Sequence, residues 1–166
     1  MLENSATTAV LQWKNINEGQ MTSIATKLAS IIHDQGILYL RGELGAGKTT
    51  FARAFLSAFG VGERIKSPTY SLIESYEVKG RSIHHLDLYR IADPEELHWL
   101  GLADLTSPQA LLVIEWPERG ASSLPEPDLI INFAHTDQRG RDLSLIAMSS
   151  PAYAWIAQIK QILKLR

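Results

Sequence analysis

The sequence predicts an α/β fold: a single domain with a mixed, mostly parallel central sheet and β-hairpins. Residues 37–40 and 111–114 are continuous apolar runs, which are typical of strands buried on both faces. Segments with apolar residues at helical spacing alternate with these runs, and no repeat or linker divides the chain. We therefore expect residues 1–166 to form one domain, with residues 1–9 flexible.

The first half of the chain alternates between strand and helix patterns. Residues 10–13 are predicted to form a strand, and residues 18–33 a helix that Gly36 ends. After the buried strand at 37–40 comes a glycine-rich turn, and residues 49–59 then have the spacing of a second helix.

The second half is predicted to contain two hairpins and two further helices around the second buried strand. Each hairpin contains a glycine in its turn. The first pairs residues 70–78 with 82–89, and the second pairs residues 129–133 with 143–148. A helix is predicted to start at residues 93–96, where Asp93 can cap it and Pro94 suits its first turn. Residues 152–165 are predicted to form a closing amphipathic helix.

The composition limits the classes of function that fit this chain. The 16 basic and 18 acidic side chains give a net charge of −2, which does not favour direct, strong binding of nucleic acid. The lack of cysteine excludes disulfides, thiolate metal sites and cysteine nucleophiles. No apolar run approaches the roughly 18 residues that a membrane span needs, and residues 1–9 lack the order of a signal peptide. We expect a soluble, cytoplasmic protein that does not enter a membrane.

A glycine-rich motif follows the first buried strand. Residues 42–49, G-E-L-G-A-G-K-T, fit G-x-x-x-x-G-K-[ST] at every fixed position. Glycines let the backbone curl so that several N–H groups point inward, and the next helix directs its positive end at the same place. Lys48 is expected to reach the β and γ phosphates, and the Thr49 hydroxyl to hold Mg²⁺. The motif predicts a P-loop NTPase-like three-layer fold that binds ATP or ADP with Mg²⁺.

Two carboxylates are candidates for serving that metal. Glu115 directly follows the second apolar run, at the carboxyl end of a strand, where open α/β sheets place ligands. Alternation along its strand puts Asp87 on the same face as His85 and opposite His84. Asp87 fits a role in the site and a structural ion pair about equally well. Because adjacent strand residues point to opposite faces, the two histidines are poor joint metal ligands.

Two further side chains have more than one interpretation from the residues alone. Thr69, which follows Ser67 and Pro68, is either a γ-phosphate sensor of the switch type or an ordinary loop threonine. Trp116 is either a packed aromatic at the end of a strand or a platform on which a base stacks.

Five sequence blocks together resemble the TsaE family, also called YjeE. They are 42–50 (GELGAGKTT), 66–70 (KSPTY), 85–90 (HLDLYR), 93–97 (DPEEL) and 113–120 (VIEWPERG). The first block is generic, whereas the later blocks, in this order and spacing, are specific to the family. The resemblance covers residues 10 to 150 or so, and the closing helix lies outside it.

The resemblance implies an ATPase of the bacterial machinery that makes threonylcarbamoyladenosine in tRNA. Members of the family bind a complex of TsaD, the transferase, with TsaB, and their ATP hydrolysis supports repeated cycles of that complex. Hydrolysis is expected to be weak alone and to rise with the partners. The partners would hold the tRNA, so that the ATPase meets tRNA only indirectly, in keeping with its net charge of −2.

The resemblance also implies roles for individual residues. The expected catalytic residues are Lys48, Asp87, Glu115 and Thr69, and the expected Mg²⁺ ligands are Thr49 and Glu115. The expected nucleotide-binding residues are Glu43, Leu44, Gly45, Ala46, Gly47, Lys48, Thr49, Thr50 and Trp116. Either Asp87 or Thr69 could position the attacking water.

Two alternatives to an ATPase subunit use the same loop. A small-molecule kinase shares this chain length and motif, but the arginines here are scattered and do not form a lid segment. A nucleotide-sensing module would bind the same ligand and would differ in lacking useful turnover.

Overall fold

Seven strands and five α-helices form the described part of the chain, residues 9–33 and 35–165 of a computed structural model. The strands are β1 (Val10–Ile16), β2 (Gly36–Gly42), β3 (Ile73–Val78), β4 (Arg81–Asp87), β5 (Leu111–Glu115), β6 (Leu129–His135) and β7 (Arg141–Ala147). The helices are α1 (Glu18–Ile31), α2 (Lys48–Leu56), α3 (Glu96–Trp99), α4 (Leu102–Leu105) and α5 (Ser150–Ile162). None of these helices has the length and apolar character needed to cross a membrane.

The strands form one sheet in the order β1-β7-β6-β2-β5-β4-β3. Its four central strands, β6, β2, β5 and β4, run parallel, whereas β7, β1 and β3 are antiparallel additions at the sides. The predicted mixed sheet, mostly parallel in its centre, is therefore confirmed, and so are the hairpins β3–β4 and β6–β7. The parallel strands share one carboxyl edge, at which β2 ends in Gly42 and β5 ends in Glu115.

Apolar side chains cover both faces of the sheet and fix the register of its central strands. Helices α1, α2 and α5 pack on one face, where Phe51 and Phe55 of α2 belong to the larger core. The short helices α3 and α4 lie over the other face, where Leu86 of β4 and Ile114 of β5 belong to a second core. The sheet is therefore the middle one of three layers.

Helix α1 begins where the sequence predicts, because Asn17 caps it. Asn17 Oδ1 accepts a hydrogen bond from the Gln20 N–H (2.8 Å), and Gln20 Oε1 accepts one from the Asn17 N–H (2.9 Å). The predicted C-terminal boundary is wrong, since the helix ends at Ile31 and Gly36 opens β2. A Cβ at position 36 would lie 2.8 Å from Cη2 of Trp155, so this glycine permits the close approach of α5.

The two other long helices also stop before their predicted ends. The helix predicted over residues 49–59 ends at Leu56, and a π-helical turn, Ser57–Val61, follows it. Gly60 lies in that turn with φ +124°, a conformation that glycine adopts readily and that interrupts a regular helix. Helix α5 ends at Ile162.

Two predicted element starts are displaced by local turns. Strand β3 begins at Ile73, later than predicted, because the Leu72 N–H donates to the Pro68 carbonyl (2.8 Å) and closes a turn. The helix expected from Asp93 begins at Glu96, since the Asp93 side chain first accepts a hydrogen bond from the N–H two residues later (3.0 Å).

The predicted flexibility of residues 1–9 concerns, for residues 1–8, a segment outside the described residues. Ala9 is described, and its carbonyl accepts a hydrogen bond from the Ala147 N–H (3.0 Å).

The helices on the two faces of the sheet provide a test of core packing. Phe55 is 0% exposed, whereas Trp99 on α3 is 89% exposed. We expect Phe55→Ala to lower the free energy of unfolding by about 3–5 kcal/mol, because it leaves a cavity in the larger core. Trp99→Ala should change it by less than about 0.5 kcal/mol. Urea unfolding at equilibrium measures both, and equal effects would contradict this packing.

Candidate nucleotide-binding site

The loop from Gly42 to Lys48 has a backbone that only glycine permits at three points. Gly45 and Gly47 have φ values of +77° and +112°, which side chains rarely adopt. A Cβ at Gly42 would lie 2.7 Å from the Phe133 carbonyl oxygen of β6. The glycines therefore let the loop turn back tightly over the end of β2.

The loop leads directly into the N-terminus of α2. The first N–H groups of a helix, here those of Lys48, Thr49 and Thr50, have no partner within the helix. The N-cap residue, Gly47, has no side chain that could accept from them. Together with the positive end of the helix dipole, these N–H groups form a site that favours an anion.

Lys48 lies folded back against the loop. Its Nζ donates to the carbonyl oxygens of Gly42 (2.5 Å) and Glu43 (2.8 Å), and lies 4.2 Å from the centroid of the Trp116 ring. Burial lowers the pKa of the Lys48 ammonium, and the nearby carboxylates, above all that of Glu115, oppose this shift. The two carbonyl oxygens accept the hydrogen bonds of the Lys48 ammonium, a role that phosphate oxygens could also fill.

Glu115 forms the centre of a hydrogen-bonded chain at the carboxyl edge. It is 1% exposed and ends β5, beside Leu40 of β2 in the parallel register. Its Oε1 accepts from the Thr49 hydroxyl (2.7 Å), and its Oε2 lies 2.7 Å from His85 Nε2. A carboxylate and a threonine hydroxyl are oxygen ligands of the kind that Mg²⁺ prefers.

Asp87 lies next to Glu115 at the end of β4, in register with it. Its Oδ1 accepts a hydrogen bond from the Tyr89 N–H (3.0 Å). Burial raises the pKa of Asp87, and the charge on Glu115 adds to the shift. The Tyr89 N–H, His85 and Lys48 act in the opposite direction on this pKa. The site therefore holds a carboxylate whose ionisation is opposed by its surroundings.

One cleft of about 370 Å³ contains most of the residues that the sequence singled out. Those that line it are Leu44, Gly45, Gly47, Lys48, Thr49, Thr50, Thr69, Asp87, Glu115 and Trp116. Two predicted residues do not line it. The methyl group of Ala46 is buried in the larger core, and Glu43 faces solvent while its carbonyl accepts from Lys48.

Thr69 reaches the cleft from the loop that precedes β3. Its Oγ1 lies 2.8 Å from the Ser67 hydroxyl. The neighbouring Tyr70 is 83% exposed, and the Arg90 guanidinium lies 4.5 Å from the centroid of its ring. The loop thus presents one polar side chain to the cleft and one aromatic side chain to solvent.

The cleft is also lined by four residues that the sequence motifs do not predict as site residues: Glu18, Tyr89, Arg90 and Arg141. Arg141 begins β7, and a Cβ at Gly47 would lie 2.3 Å from its Nη1. Among the described residues the only hydrogen bond of its guanidinium is the one that Nη1 donates to the sulfur of Met21 (3.6 Å). The start of β7 meets the end of β2 only through the strand order, which local sequence patterns do not reveal.

The buried carboxyl of Asp87 leads to a prediction about stability and pH. Because burial raises its pKa, ionisation of Asp87 weakens folding, and this cost appears as the pH rises through the pKa of the folded state. Asp87→Asn keeps the acceptor for the Tyr89 N–H and removes the charge. Without nucleotide or metal, we expect this variant to unfold at a higher urea concentration than wild type at neutral pH. The difference should vanish below the ordinary pKa of 3.8.

Asp142 is a matched control with the opposite sign. The N–H of Asn15 holds its pKa below the usual value, so its contribution to stability is present above 3.8 and is lost as the pH falls through the folded-state pKa. Asp142→Asn should therefore lower stability at neutral pH. If both variants changed stability in the same direction, burial would not explain the behaviour of Asp87.

Known proteins resemble this chain over most of its length. The model of the TsaE family, "Threonylcarbamoyl adenosine biosynthesis protein TsaE", matches residues 16–143. A tRNA threonylcarbamoyladenosine biosynthesis protein TsaE from Haemophilus influenzae is 45% identical over 114 residues, which cover 69% of this chain and 72% of the relative. The protein of the same name from Bacillus subtilis is 30% identical over 140 residues, which cover 84% and 87%.

A solved structure supports the fold independently. The crystal structure of YdiB from Bacillus subtilis aligns with a TM-score of 0.77 and 24% sequence identity, over 93% of this chain and 97% of that one. The resemblance inferred from the five sequence blocks is thus confirmed by a family model that spans most of the chain. This chain belongs to the TsaE family.

Proposed function

We propose that this protein is a magnesium-dependent ATPase of the cytoplasmic machinery that makes threonylcarbamoyladenosine in tRNA. The observation that carries the proposal is the grouping of Lys48, Thr49 and Glu115 where β2 and β5 end side by side. The relatives from Haemophilus influenzae and Bacillus subtilis are named for the biosynthesis of this modified base, which supports the same pathway here.

The glycine loop and the N-terminus of α2 would hold the phosphates of ATP. The free N–H groups of the first helical turn suit phosphate oxygens. Lys48 Nζ would exchange its bonds to two neutral carbonyls for bonds to charged phosphate oxygens, which are stronger. Since burial lowers the pKa of Lys48 and nearby anions raise it, bound phosphate would favour the charged ammonium.

Thr49 and Glu115 would hold Mg²⁺, which would offset negative charge on the β and γ phosphates. The Thr49 hydroxyl donates its proton to Glu115, so that the lone pairs of its oxygen stay available to a cation. Asp87 and Thr69 line the same cleft, which supports a role for one of them in orienting an attacking water. Hydrolysis would be possible with either residue in this role.

TsaB and TsaD are the partners that we propose, with tRNA held by them. A net charge of −2 suits a subunit that acts on proteins rather than on an RNA backbone. In this scheme the result of hydrolysis is a change in the shape of the ATPase that its partners sense.

The role of Lys48 gives the first test of this function. Lys48→Ala removes charge-assisted bonds to phosphate, so we expect ATP affinity to fall by about 10- to 100-fold in calorimetry. Lys79→Ala, at the exposed turn between β3 and β4, is the control and should bind like wild type. Adding TsaB and TsaD should raise hydrolysis by wild type and not by Lys48→Ala. The proposal would be overturned if the protein bound no ATP either with or without the partners. Robust phosphorylation of a metabolite by the purified protein would instead favour a kinase.

The role of Glu115 gives a second test. Glu115→Gln keeps the size of the side chain and removes the negative charge, so the apparent affinity for Mg²⁺ in ATP hydrolysis should fall by about tenfold or more, equivalent to about 1.4 kcal/mol. Nucleotide affinity in excess EDTA should stay near the wild-type value. Glu63→Gln changes an exposed carboxylate that does not line the cleft and should leave both quantities unchanged. Equal Mg²⁺ dependence in Glu115→Gln and wild type would exclude this role.

A further inference from the structure

His85 is buried directly beside the proposed metal site. Its side chain extends from β4 and is 0% exposed, and its Nε2 lies 2.7 Å from Oε2 of Glu115. The other carboxylate oxygen accepts from the Thr49 hydroxyl. Each oxygen of Glu115 therefore has its own donor, one from the central sheet and one from the first turn of α2.

The second ring nitrogen of His85 has no hydrogen-bond partner among the described residues. An ionised carboxylate only accepts hydrogen bonds, so Nε2 carries the proton that it donates to Glu115, and Nδ1 is left as a buried polar atom without such a partner. An unpaired buried polar atom weakens folding, and an apolar side chain at this position would avoid that cost. Within residues 9–33 and 35–165 the ring thus has a single polar contact, the one with Glu115, which indicates a role at the site rather than in core packing.

We propose that His85 is a positioning residue, which fixes the orientation of the Glu115 carboxylate and thereby its capacity to hold Mg²⁺. The inference rests on the proposed function, because it concerns the same metal. Without the Nε2–H donor, the Glu115 side chain would lose one of its two fixed points and could rotate about its terminal bond. Residues that orient metal ligands in this way commonly change metal affinity by about 10- to 100-fold when they are replaced.

Two substitutions separate the position of the donor from its polarity. His85→Gln places an amide nitrogen near the position of Nε2, whereas the shorter side chain of His85→Asn places its amide near that of Nδ1 and cannot reach Glu115. Both variants are polar and smaller than histidine, so a general cost of burial affects both. Thermal unfolding would first define a temperature at which each variant is folded.

The experiment measures ADP affinity by calorimetry with Mg²⁺ and with excess EDTA, and it compares the ratio of the two constants. We expect His85→Asn to lower this ratio by about tenfold or more, while affinity in EDTA stays within about twofold of wild type. His85→Gln should recover most of the ratio. A packing role would instead lower affinity in both buffers or leave both unchanged.

Two further arms test whether the effect passes through Glu115. His84→Gln alters the adjacent histidine, which bonds to Ser75 on the other face of the sheet, and it should leave the ratio unchanged. In a Glu115→Gln background, His85→Asn should add little further loss. An effect of His84→Gln equal to that of His85→Asn, or full additivity with Glu115→Gln, would overturn the proposal.

A readout without nucleotide separates failure of this inference from failure of the proposed function. Imidazole ¹⁵N spectra of the wild type should show His85 with its proton on Nε2, and Glu115→Gln should shift that resonance. If wild type showed no Mg²⁺ effect on ADP affinity, the proposed function would fail. If wild type showed it and neither His85 variant nor the spectra responded, only the role of His85 would fail.

Discussion

The parallel register of β2, β5 and β4 is the constraint on which the site depends. Leu40 pairs with Glu115, and Glu115 pairs with Asp87, so the glycine loop and both carboxylates reach the same edge of the sheet. Apolar cores on both faces hold that register, because a slip of one residue would turn every side chain of β5 to the opposite face. Glu115 would then point away from Thr49 and α2. The packing of the cores therefore also determines the position of the site.

The cost of that arrangement is a set of charged and polar groups in a water-poor place. Lys48, Asp87, Glu115 and His85 are all buried at the edge of apolar cores. Burial lowers the pKa of Lys48 and raises that of Asp87, so for both groups it opposes the charged form. Lys48 favours the ionised form of Asp87, whereas the nearby charge of Glu115 opposes it. Bound phosphates would offset the charge of Lys48, and a bound cation would offset that of the two carboxylates. Ligand binding would therefore stabilise the arrangement of these side chains.

The sequence predicted what depends on local pattern. The run before Gly42, the glycine loop and the position of Glu115 follow from apolar runs and motif spacing, and residues of the loop line one cleft together with Glu115. Contacts that depend on strand order escaped prediction. Arg141 lies far along the chain from Gly47 and meets it because β7 pairs with β6, which pairs with β2. Alternation along β4 predicts that His85 and His84 face opposite sides of the sheet, but only the register of β4 against β5 brings His85 to Glu115. The prediction that Gly36 ends α1 was wrong. A glycine is needed at this position because the Trp155 ring of the last helix approaches it closely, a contact that the local sequence does not reveal.

The loop before β3 is joined to the site by backbone as well as by Thr69. The Asp87 N–H donates to the Leu72 carbonyl (3.0 Å), and the Leu72 N–H donates to the Pro68 carbonyl (2.8 Å). These two hydrogen bonds link the end of β4 to the turn that carries Thr69 and the exposed ring of Tyr70. The end of β4 is also joined to Glu115, because the Leu88 N–H donates to the Glu115 carbonyl (3.1 Å). These bonds form a short, continuous route from Glu115 to the outer surface. The ATPase that we propose would need a route of this kind to reach its partners, and the hydrogen bonds that link these segments here all belong to the main chain.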